Sequence, residues 1–128
     1  MLVDGDKLEK QLQDAKSVEE PVRRAYLMLA HARLPGGMTV RPSGHGYIER
    51  ELRFEKDGSW QYAAVLNQKW ILWYFRKPAL ATGLVDEPGI LAQFPDAQRT
   101  ALGEFKIRLR TPEAASNVLR YIGVQGAG

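Results

Sequence analysis

Trp70-Ile-Leu-Trp-Tyr-Phe75 is a run of six consecutive apolar or aromatic side chains. Such a run predicts a β-strand covered on both faces, because a strand with one face in water alternates apolar and polar residues. The second face then needs a cover of its own. The protein's helices, a second copy of the chain or a ligand can each supply it.

The composition is that of one globular domain over residues 1–128, with 45% hydrophobic and 26% charged residues. The chain has no cysteine, which excludes disulfide scaffolds, thiolate metal sites and cysteine nucleophiles, and favours a reducing cytoplasm. The longest apolar run is six residues, so neither secretion nor membrane insertion is expected. The net charge of +3 is mild, so any attraction to nucleic acid must come from local clusters of cations.

Three further segments have the character of strands. Residues 47–55 and 59–66 precede the apolar run and form an antiparallel meander with it. Residues 104–110 alternate strictly between apolar and charged side chains, which predicts a half-buried strand with a basic stripe on its outer face.

The turn between the first two strands decides which side chains share a face. A three-residue loop over residues 56–58, with Gly58 in the left-handed conformation, sets Phe54 against Trp60. We therefore predict this loop in preference to a two-residue turn at Asp57 and Gly58.

Helices are predicted at both ends of the chain. The first covers residues 6–16, and the second begins at a capping box opened by Ser17 and ends near residue 33. The last covers residues 111–122, where Thr111 is the N-cap and a proline follows it at the first helical position.

Two segments are predicted to be irregular. Residues 39–46 contain one proline and two glycines and are expected to form a loop. Residues 86–103 are punctuated by prolines and glycines, with short helices expected over residues 90–94 and 96–102.

Together these elements predict an α+β domain with a mainly antiparallel sheet of about four strands, and with the N-terminal and C-terminal helices packed on one face. The helices cover Phe54 and Trp73. Trp70, Leu72 and Tyr74 then lie on the opposite face, beside the basic stripe.

This second face yields the functional hypotheses. The first is a small non-enzymatic binding domain that forms a homodimer through Trp70, Leu72 and Tyr74, since aromatic side chains are concentrated at the centres of interfaces. The alternative is nucleic-acid binding, with the same aromatics stacking on bases and with nearby cations binding phosphate. The cations in question are Arg76, Lys77, Lys106, Arg108 and Arg110.

The basic stripe also has a purely structural explanation. Its cations can form ion pairs with the acidic residues of the first strand, which are Glu49, Glu51 and Glu55. On that interpretation the face is a solvated surface without a ligand.

A third hypothesis is enzymatic. Pro95-Asp96, followed after seven residues by Glu104-Phe105-Lys106, resembles the signature of the PD-(D/E)xK nucleases. The resemblance implies that Asp96 and Glu104 hold a divalent metal and that Lys106 positions or activates the attacking water. Apart from this resemblance no catalytic residue, metal site or cofactor is predicted, because His31 and His45 have no recognisable carboxylate set with them.

Overall fold

The computed structural model of the chain describes residues 5–14, 17–45 and 48–124. In this part of the chain, five helices accompany one antiparallel sheet of six strands, which confirms the predicted α+β class. The strands are β1 (Thr39–His45), β2 (Ile48–Lys56), β3 (Ser59–Leu66), β4 (Ile71–Phe75), β5 (Gln98–Arg99) and β6 (Phe105–Leu109). Their spatial order is β1-β2-β3-β4-β6-β5.

The prediction of about four strands was too low, because it missed β1 and β5. Residues 39–46 were expected to form a loop on account of Pro42, yet β1 is an edge strand, and an edge tolerates proline because one side of its backbone has no strand to bond. The helix expected over residues 96–102 is wrong, since β5 and a turn occupy that segment. Tyr47, at the predicted start of β2, lies outside the described residues.

The helices are α1 (Gly5–Asp14), α2 (Glu20–Ala30), α3 (Lys77–Ala81), α4 (Glu87–Gln93) and α5 (Pro112–Tyr121). Thr111 caps α5 as predicted, its side chain accepting a hydrogen bond from the N–H of Ala114 at 3.1 Å. The predicted capping box at Ser17 is not formed. Glu19 is the N-cap of α2 without a side-chain bond, and the Ser17 hydroxyl instead accepts from Gln68 Nε2 at 2.9 Å. The predicted end of α1 at Lys16 lies outside the described residues.

The helical layer covers the face of the sheet that carries Trp73, as predicted. Trp73 is fully buried, with its ring centroid 5.0 Å from that of Phe54 and 5.5 Å from that of Tyr62. Apolar residues of α2 and α5 complete this core. Burial in the core raises the pKa of the Tyr62 hydroxyl to about 12. We call this side of the sheet the core face and the opposite side the polar face.

The turn between β2 and β3 differs from the prediction, and the difference redirects one tryptophan. Asp57 and Gly58 form a two-residue turn in which both residues have positive φ, 52° and 78°. The register then shifts within β3, so that Phe54 lies opposite Tyr62 while Glu55 lies opposite Trp60. Trp60 therefore belongs to the polar face and not to the core.

Candidate binding face of the sheet

The apolar hexapeptide is extended, and its alternate side chains occupy the two faces of the sheet as predicted. Ile71, Trp73 and Phe75 are buried on the core face. Leu72 and Tyr74 are only partly buried on the polar face, and Trp70 lies just before β4. The predicted binding residues are therefore neighbours on one surface, but that surface is shared with arginines.

One group of these arginines surrounds Trp60. The guanidinium carbons of Arg53 and Arg76 lie over the Trp60 ring, 3.8 and 4.0 Å from its centroid. The ring is also held through its edge, because Trp60 Nε1 donates a hydrogen bond to the carbonyl of Tyr62 at 2.8 Å. We call Arg53, Trp60 and Arg76 the tryptophan clasp.

The clasp is closed by further polar contacts. Arg76 Nη1 donates to the carbonyl of Trp60 at 2.7 Å, and its Nε lies 3.5 Å from a carboxylate oxygen of Glu104. All three clasp side chains are partly buried, and the Nε of Arg53 is buried without a hydrogen-bond partner among the described residues. These contacts tie the ends of β3, β4 and β6 together, so the clasp has a structural role.

A second group of arginines surrounds Trp70 at the other end of β4. The guanidinium carbon of Arg108 lies 4.3 Å from the Trp70 ring centroid, and that of Arg110 lies 5.3 Å from it. Both arginines are exposed, and Lys106 lies on the same face of β6. We call Trp70, Lys106, Arg108 and Arg110 the cleft cluster.

The cleft cluster lines a cleft of about 680 Å³. Within the described part of the chain, no carboxylate lies within ion-pair distance of Lys106, Arg108 or Arg110. One acidic residue, Asp96, lines the same cleft. Among the residues that the structure describes, the cleft therefore carries three cations and one carboxylate, and no ion pair competes with an anion for those cations.

The side chains that the structure describes do not form the predicted pairing of the basic stripe with the acidic residues of β2. Two strands separate β2 from β6, which puts their backbones about 14 Å apart. Glu55 instead pairs with Arg41 on β1, with 2.8 Å between Nε and Oε1. Glu51 is buried on β2, and the side chain of Glu49 lies outside the described residues.

The five cations predicted to bind phosphate fall into two places. Lys106, Arg108 and Arg110 come together beside Trp70. Arg76 belongs to the clasp, about 20 Å from Trp70 along the strand, and Lys77 is the exposed first residue of α3 next to it.

The residues of the nuclease-like signature are separated. Gln98 pairs with Lys106, so Asp96 precedes β5 on the side of Arg108. Glu104 lies at the opposite end of β6, where it contacts Arg76. Four residues of extended chain, about 13 Å, separate the positions of the two carboxylates. Among the described residues, no group of three histidine or acidic side chains is placed to hold a metal ion.

Tyr74 lies between the two clusters in the middle of the polar face. Burial raises the pKa of its hydroxyl, and the carboxylates of Glu104 and Glu51 raise it further. The phenol is therefore neutral at physiological pH and presents a hydrogen-bond donor between the two groups of arginines.

Sequence reasoning missed Trp60 and the walls of the cleft. The Asp57-Gly58 dipeptide was a signal for the two-residue turn, but the register shift that follows it has no signal in the sequence. Phe94, which directly follows α4, and Ala114 of α5 line the cleft, and only the fold brings them beside β6.

Comparison of the chain with protein-family models, with curated proteins and with solved structures found no match. Of the helices in the described residues, none combines the length and the apolar character needed to cross a lipid bilayer.

Proposed function

We propose that the protein is a non-enzymatic, cytoplasmic binding domain that holds an anionic partner in the cleft beside Trp70. The observation that carries this proposal is the cleft cluster: three cations line one side of the cleft, and none of them has a carboxylate partner among the described residues. The absence of cysteine supports the cytoplasmic location.

The chemistry of the cluster suits phosphate or carboxylate groups. A guanidinium presents a planar set of donors that matches both anions, and it remains charged at any physiological pH. Contact with the Trp70 ring orients Arg108 and removes part of its hydration. Less solvation is then lost when an anion binds. A nucleic-acid strand carries phosphates and an acidic polypeptide carries carboxylates, so both are candidate partners.

Self-association through Trp70, Leu72 and Tyr74 is the second candidate. The observation in its favour is that Leu72 and Tyr74 remain partly exposed in the middle of a sheet face. A two-fold interface places the same patch on both copies, however, and would bring Arg108 and Arg110 close to their equivalents. Because this repulsion opposes a dimer, we rank an anionic partner first.

Fluorescence anisotropy with two labelled probes tests the proposal. The probes are a single-stranded oligothymidylate and a short peptide in which valine and glutamate alternate. We expect at least one of them to bind at low salt and to bind more weakly as salt is added, because the contact is between charges. Absence of binding to both probes at low salt would contradict the proposal.

Paired double variants locate the site. Arg108→Gln/Arg110→Gln should weaken binding by roughly tenfold to a hundredfold, since two charge-assisted hydrogen-bonding groups are lost. Arg41→Gln/Arg53→Gln removes the same charge from the same face of the sheet and should change affinity by less than about threefold. Equal losses in the two variants would place the contact elsewhere. A sedimentation measurement on the wild-type protein decides the second candidate, which a monomeric mass would exclude.

A further inference from the structure

The cleft runs along an edge of the sheet that is only partly paired. β5 pairs with Phe105 and Lys106 and extends no further. Among the described residues, Ile107, Arg108 and Leu109 have a strand neighbour on one side only, which is β4. An unpaired strand edge is a template on which another extended chain can add.

The direction of the free backbone groups follows from the start of β6. The N–H of Thr100 donates to the carbonyl of Glu104 at 2.7 Å, so the backbone groups of Glu104 point away from β4. Because this direction repeats every second residue of a strand, the N–H and C=O of Lys106 and Arg108 point the same way. Arg108 therefore presents a backbone donor and acceptor to the cleft.

The two sides of this edge differ in chemistry. On the core side the cleft is lined by Phe94 and Ala114, and the Phe94 ring packs 5.9 Å from that of Phe75. On the polar side it is lined by Trp70, Lys106 and Arg108. A strand added to β6 would send successive side chains alternately to the apolar wall and to the cationic wall.

We propose that the cleft binds an extended peptide with alternating apolar and acidic residues, which adds a strand to β6 in line with β5. This inference rests on the proposed function and names its ligand. Charge complementarity decides the occupant, because the three cations of the cleft outnumber Asp96, the one acidic residue in its described lining, and none of them has an ion-pair partner among the described residues. It also disfavours a second copy of the chain, since edge-to-edge pairing of two β6 strands would oppose their cations.

The alternating valine–glutamate peptide is compared with two controls of the same composition. One has its valines and glutamates in separate blocks, and the other is methylated on alternate backbone nitrogens that would donate to β6. We expect the alternating peptide to bind at least tenfold more tightly than either control, because only this peptide combines the pattern with free backbone donors.

Two further measurements examine the edge itself. Hydrogen exchange at the Arg108 amide should slow by about tenfold or more when the alternating peptide is bound, since that amide becomes hydrogen bonded. Arg108→Pro should bind the peptide roughly threefold to tenfold more weakly than Arg108→Gln, since both lack the charge and only proline lacks the N–H. Should the proline variant fail to fold, the exchange measurement on the wild-type protein still decides.

The outcomes separate this inference from the proposed function. If oligothymidylate binds and the alternating peptide does not, the anion-binding function stands and strand addition is overturned. Equal affinity for the alternating and blocked peptides, or an unchanged exchange rate at Arg108, overturns strand addition in the same way. Absence of binding to every probe overturns both.

Discussion

The polar face holds two groups that share one arrangement, a tryptophan contacted by two arginines, and they differ in what surrounds those arginines. In the tryptophan clasp, Arg76 has a carboxylate and a backbone carbonyl as partners. In the cleft cluster, Arg108 and Arg110 are exposed and have no ion-pair partner among the described residues. An arginine–tryptophan contact therefore does not by itself mark a binding site.

The partners decide the role of each group. A guanidinium whose donors are already satisfied within the protein gains little from an external anion, because the new bond replaces an existing one. A guanidinium that contacts only a ring and water exchanges water for the anion and loses no internal bond. We therefore expect the clasp to determine stability and the cleft cluster to determine binding.

Removal of each tryptophan separates the two groups most strongly. Trp60→Ala should lower the free energy of unfolding by about 3 kcal/mol, because it removes a partly buried ring, its hydrogen bond to the carbonyl of Tyr62 and two arginine contacts. Trp70→Ala should lower it by about 1 kcal/mol, since this ring lies in an open cleft. Urea denaturation of both variants measures the difference, and equal losses would contradict the division of roles.

Loss of the clasp's carboxylate is expected to have an intermediate effect. Glu104→Gln should lower the free energy of unfolding by about 1 kcal/mol, because the pair with Arg76 is mostly shielded, with 14% of the glutamate side chain exposed. Glu87→Gln is a matched control that removes an exposed pair with Arg99 at 3.3 Å, and it should cost almost nothing. The expectation fails if urea midpoints shift equally in the two variants.

The sequence predicted the parts of this face that depend on the alternation of side chains along a strand. It missed the parts that depend on the pairing register between strands or on contacts between distant segments. The apolar hexapeptide predicted β4, and the alternating segment before Thr111 predicted β6. Both patterns placed Trp70 and Arg108 on the same face of the sheet, because successive side chains of a strand alternate between its two faces whatever the strand packs against. Trp60 was placed on the wrong face, since the extra residue in β3 reverses the faces of the side chains that lie between it and the turn.

The strand order was equally out of reach of local patterns. β1 contains the proline and glycine that usually indicate a loop, and β5 has only two residues, too few for any period to appear. Without the order of strands, the basic stripe of β6 could be assigned the glutamates of β2 as partners. The sheet places two strands between them, and among the described residues the cations of the cleft cluster have no ion-pair partner.

The smallest effect is expected at the shortest ion pair of the polar face, which belongs to neither tryptophan group. Arg41 and Glu55 are 2.8 Å apart, but 47% of the arginine side chain is exposed at the β1 edge. Arg41→Gln should therefore lower the free energy of unfolding by less than about 0.5 kcal/mol, and the loss should vanish at high salt because water and ions already screen the pair. Urea denaturation of Arg41→Gln measures this loss. A loss as large as that of Glu104→Gln would contradict the expectation, because the stability from an ion pair would then depend on the distance between the charges and not on their shielding from water.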